Sequence, residues 1–98
     1  MAVWSVLVLV GDEAVDSERA LDRMVEAIEN HPAHLGFSVA SGPSPSVFLS
    51  VDAASDTDAR RAAESIVEVA LASIDRAGAP RAAQVYDADG RIVFDATA

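Results

Sequence analysis

The chain has 98 residues, is 51% hydrophobic but only 5% aromatic, and carries a formal net charge of −9 from sixteen acids against seven bases. A single domain of this size buries about two-thirds of its unfolded surface, enough for a modest core of Val, Ile, Leu and Ala without metal or disulfide staples. The acidity excludes a surface for nucleic acid or anionic membrane. The absence of Cys excludes disulfides and thiolate chemistry, and with every base an Arg no lysine can form a Schiff base or serve a P-loop.

Ala2 to Val10 reads AVWSVLVLV, nine residues that are β-branched-rich and apolar at nearly every position. This predicts a strand covered on both faces. The run is too short to span a bilayer and lacks the basic flank of a signal peptide, so cytoplasmic residence is the expectation.

Asp16 to His31 places Leu21, Met24, Val25 and Ile28 at helical spacing. Glu18, Arg19, Asp22, Arg23, Glu26 and Glu29 form the wet face. Asp16 is positioned to cap the first turn, and Pro32 stops the helix. Leu35 to Ala40 predicts a short second strand, Ser41 to Ser46 a loop, and Val47 to Asp52 a third strand. In the third strand Val47, Leu49 and Val51 share one face, with Phe48 and Ser50 on the other.

Ser55 to Ala77 contains a second helix, with Ser55 or Asp56 as its cap. Its buried stripe is Ala59, Ala63, Ile66, Val67, Ala70, Ile74 and Ala77. Arg60 and Glu64, four apart, are placed to pair on its surface. Gly78 and Pro80 end it. Ala82 to Tyr86 and Arg91 to Phe94 then predict a hairpin around Asp87-Ala88-Asp89-Gly90, where Gly90 can take positive φ.

The order is βαββαβ plus one strand, in a single α+β domain spanning residues 1–98. Right-handed crossovers convert that order into a ferredoxin-like sandwich, an antiparallel sheet with both helices on one face and strands 1 and 3 central. The pattern resembles small ligand-sensing domains of the ACT type and dimeric α+β barrel proteins, with no motif specific to either.

Two helices cover only one sheet face, yet the first strand is apolar on both. The second face would then be a contiguous apolar patch, which soluble monomers avoid. The expectation is a homodimer burying that face, with Trp4, Val6, Val8 and Phe48 near its centre. The competing expectation is that the C-terminal hairpin folds across it.

The predicted topology gathers His31, His34, Asp52, Asp56 and Asp87 at one end of the sheet, with Asp58 and Asp89 beside them. Imidazole with carboxylate can ligate zinc, manganese or iron. Capping and turn chemistry explain the same residues, Pro32 breaks the spacing that would aim both rings together, and no metal or cofactor is expected. Asp87-Ala-Asp-Gly90 lacks the later ligands of a calcium loop.

Two functions follow. One is a binding or oligomerisation module acting as a homodimer, open to a small molecule or a basic protein partner. The other is a small cofactor-independent enzyme of the α+β barrel kind, with a His or Asp as general base. The enzyme needs polar groups aimed into a cavity between helices and sheet, and Ser5, Ser38 and Gln84 are the strand residues available.

Overall fold

The computed structural model describes residues 2–10, 18–31, 34–40, 46–73 and 80–96. They form β1 (Ala2–Leu9), α1 (Glu18–Glu29), β2 (His34–Ala40), β3 (Ser46–Ala53), α2 (Asp56–Ser73), β4 (Arg81–Tyr86) and β5 (Ile92–Asp95). The predicted caps and stops at Asp16, Pro32 and Gly78, residues 41–45 of the predicted Ser41–Ser46 loop, and Ile74 and Ala77 lie outside the described residues, while Ser46 begins β3.

The five strands make one sheet in the order β2-β3-β1-β4-β5, and every neighbouring pair is antiparallel. β1 and β3, the most apolar strands, are interior, as expected. α1 and α2 pack side by side on one face.

The core lies between that face and the helices. Val6, Val8, Val47, Leu49, Val51 and Val85 from the sheet meet Met24 and Ile28 of α1 and Ala59, Ala63, Ile66, Val67, Ala70 and Leu71 of α2. Each large aliphatic group buried here contributes about 1.5–3 kcal/mol. Leu71, which the expected stripe omitted, is buried beside Ala70. The alanines of α2 keep the helix close to the strands, since nothing beyond Cβ props it away.

Ser55 is the cap of α2. Its hydroxyl accepts from the Asp58 amide at 3.2 Å, and its carbonyl accepts from the Ala59 amide at 2.9 Å. Asp56 and Asp58 occupy the first turn, where the helix dipole favours acids. The expected Arg60–Glu64 pairing gives way to two tertiary contacts. Glu64 Oε2 accepts from the Ala82 amide at 3.0 Å, next to the point where the β1–β4 register shifts. The Arg60 guanidinium stacks 4.0 Å from the centroid of the Phe94 ring and donates to Thr57 Oγ1. Both contacts join elements far apart in sequence, so spacing along α2 could not reveal them.

β5 adds to the edge of the sheet beside β4, with Val85 opposite Phe94 and Gln84 opposite Asp95. The hairpin therefore extends the sheet in its own plane and does not fold across the open face, which corrects that expectation. A tight turn with Gly90 at φ 80° fixes this geometry. Asp87 Oδ1 accepts from the amides of Asp89 and Arg91, both at 2.9 Å, while the Asp87 amide donates to the Arg91 carbonyl. Asp87→Ala removes both side-chain acceptances and is expected to lower stability by about 1 kcal/mol in urea unfolding, whereas Asp87→Asn, which keeps an acceptor, should lose less.

Candidate functional site

The side chains of β1 divide by the register. Val6 stands opposite Leu49 and Val8 opposite Val47, so these residues share the helix-covered face, and both valines are 0% exposed. Trp4 is on the same face, packed against the core, with its indole N–H donating to the Ala53 carbonyl at 2.9 Å. The expectation that Trp4, Val6 and Val8 centre an open face is thus corrected: Val6 and Val8 are buried in the core beneath the helices, and Trp4 packs partly buried against the same core. Of the four residues named for that face, only Phe48 lies on it, 37% exposed.

The open face carries the other set. Ser5 faces Ser50 on one side and Tyr86 on the other, with Gly36 beyond Ser50. One step along the strands, Leu7 faces Phe48 and Gln84, with Ser38 beyond Phe48 and Asp95 beyond Gln84. Val3 and Leu9 flank these two rows along β1, and Ile92 extends the first row on β5. Val3 is 47% and Ile92 52% exposed.

Tyr86 and Phe48 reach across β1 to each other, ring centroids 5.8 Å apart at 58°, a tilted pair. The Tyr86 hydroxyl donates to Gln84 Oε1 at 2.7 Å, which fixes the ring's lean toward the second row. Ser5, Ser38 and Gln84, the strand residues available to an internal cavity, all belong to this outer face. Among the described residues no polar or charged side chain is buried.

Charge avoids the middle of the face. Its two central rows, from Gly36 to Tyr86 and from Ser38 to Gln84, are neutral throughout. Among the described residues, charged side chains of this face stand at its margins, as Asp52, Arg81 and Asp95. In a chain with sixteen acids this neutral centre is the most distinctive surface feature of the sheet.

The acidic end of the sheet is organised differently. His34 begins β2 opposite Val51, Asp52 follows on β3, and Tyr86 leads into the turn, so one end of the sheet does carry these segments. They do not converge. Asp52 is exposed on the open-face side, Asp56 starts α2, and Asp87 is occupied by two amides of its turn. His31 is half-buried past the end of α1, its amide donating to the Ile28 carbonyl. The side chain of His34 lies outside the described residues. Among the described residues no group of three or more His, Asp or Glu is arranged to hold a metal ion.

A shallow depression of about 280 Å³ on the helix layer is lined by Arg23, Glu26, Ala27, Asn30 and Ser73. It lies on the far side of the molecule from the aromatic pair. Among the described residues no helix is long and apolar enough to cross a membrane.

No protein-family model, no curated protein and no solved structure matches this chain.

Proposed function

We propose that this chain is a binding and oligomerisation module that acts as a homodimer through the open face of its sheet. The observation that carries the proposal is the neutral, half-apolar centre of that face, built from Leu7, Phe48 and Tyr86 on a protein of net charge −9. A solvated surface of this composition would be expected to share the acidity of the rest. Charge depletion with aromatic enrichment is instead the signature of an interface core.

Size is consistent with this reading. Strands spaced about 4.8 Å apart and rising about 3.3 Å per residue give this face a projected area of roughly 500 Å². Side-chain relief raises the accessible area toward the roughly 800 Å² that each partner contributes to a standard interface. The ferredoxin-like frame belongs to the same proposal. The order β2-β3-β1-β4 with antiparallel neighbours supports it, and β5 widens the sheet beyond β4. So does a cytoplasmic setting, since the apolar N-terminal run is taken up by an interior strand. The enzyme alternative finds no support in the described residues, whose polar strand groups face outward.

Light scattering coupled to size exclusion at micromolar concentration tests the dimer. The expected species has twice the 10.2 kDa chain mass. Because two acidic copies repel, raising NaCl from about 10 mM to about 150 mM shortens the Debye length from about 30 Å to about 8 Å and should tighten association. A single-chain mass at every salt concentration overturns the proposal.

A further inference from the structure

We propose that, in the sheet-face homodimer inferred above and resting on that reading, the two copies are related by a two-fold axis running across the strands between the Ser5 and Leu7 rows. Phe48 of each copy then seats over Ser50 of the partner subunit.

The surface relief of the two rows leads to this register. At β2, β3 and β1 the first row is low, with Gly36, Ser50 and Ser5. At β3 and β1 the second row is high, with Phe48 and Leu7. Tyr86 leans toward the second row, and so adds to the high side. An isologous contact must bring one surface against itself, and close packing requires high to meet low.

An axis parallel to the rows and midway between them reverses strand direction while keeping each strand over its own copy. It places Phe48 over Ser50 of the partner subunit, Leu7 over Ser5 of the partner subunit and Gln84 over Tyr86 of the partner subunit. At the margins Val3 meets Leu9 of the partner subunit, apolar on apolar. Asp52 faces Ser46 of the partner subunit, so this carboxylate does not meet its own copy. An axis along β1 would instead set Ser5 on Ser5 of the partner subunit and Leu7 on Leu7 of the partner subunit, leaving a gap at one row and a collision at the other. Twist rotates two stacked sheets by about 30°, so the match is tightest close to the axis, where Leu7, Phe48, Ser5 and Ser50 stand.

The test is a reciprocal exchange. Ser50→Phe alone sets ring against ring, and Phe48→Ser alone leaves small over small. Each should raise the dimer Kd by about tenfold or more, as expected for an aromatic anchor at an interface centre. The double variant Phe48→Ser with Ser50→Phe restores large over small with the same composition, and its Kd should return to within about threefold of the original. Circular dichroism and urea midpoints verify that each variant folds; if the ring introduced by Ser50→Phe is not accommodated, Ser50→Leu with Phe48→Ser provides the same exchange at smaller volume. Association by the parent chain with no recovery in either folded double variant overturns the axis while leaving the dimer intact. A parent chain that stays monomeric overturns the underlying reading instead.

Discussion

Phe48→Asp is expected to turn the proposed dimer into a folded monomer. The side chain is 37% exposed in the protomer, so a carboxylate there can remain hydrated and the fold loses little. In the dimer the same group would be desolvated at the interface centre, once from each copy. Loss of an aromatic anchor costs about 2 kcal/mol or more, and burying an unpaired carboxylate adds several kcal/mol after relaxation. Even about 4 kcal/mol in total weakens association roughly a thousandfold. Sedimentation equilibrium should report a single-chain mass, with the circular dichroism spectrum of the parent. An undiminished dimer would mean that association uses another surface.

Much of the frame was legible because its elements are strongly patterned. Val47, Leu49 and Val51 alternate with Phe48, Ser50 and Asp52, so β3 declares its own buried face. The buried stripe of α2 and the Gly90 turn were readable for similar local reasons. β1 is different. Trp4, Val6, Val8 and Val10 form one apolar set, and Val3, Leu7 and Leu9 nearly form another. Which set meets the helices depends on the pairing of Val6 with Leu49, a contact between residues 43 positions apart. A strand rich on both sides does not encode that choice by hydrophobicity alone. The one local clue was Ser5, a polar residue in the second set, which marks the wetter side.

The candidate surface changed accordingly. Trp4, expected at the interface, packs partly buried against the core, where its indole N–H fastens β1 to the end of β3. Tyr86, expected only as the end of a hairpin strand, forms half of an aromatic pair, and its hydroxyl donates to Gln84. The acidic end contains the expected segments, but turns and caps account for Asp87 and for the first turn of α2. Where a side chain can satisfy a neighbouring amide, sequence proximity explains it sufficiently. Where it meets a distant strand, as Arg60 meets Phe94, only the folded arrangement reveals it.

Leu49→Ala, one residue along β3 from Phe48, is expected to have the opposite consequence. Leu49 is 0% exposed, lies opposite Val6 on β1 and Phe37 on β2, and belongs to the cluster under α2. Removing its isobutyl group loses transfer free energy and leaves a cavity that interior strands cannot readily close, a loss of about 3–4 kcal/mol. That is a large share of the roughly 5–15 kcal/mol that holds a domain of this size. At about 4–8 °C per kcal/mol, the melting temperature should fall by more than about 12 °C. Because the proposed dimerisation would add its own stabilisation, the measurement belongs on the Phe48→Asp background, where protein concentration is not expected to shift the transition. There Leu49→Ala should reduce the urea midpoint sharply with little change in slope. A loss below about 1 kcal/mol would place Leu49 outside a packed core and reverse the assignment of the two faces of β3. Adjacent residues would then control stability and association in the opposite order.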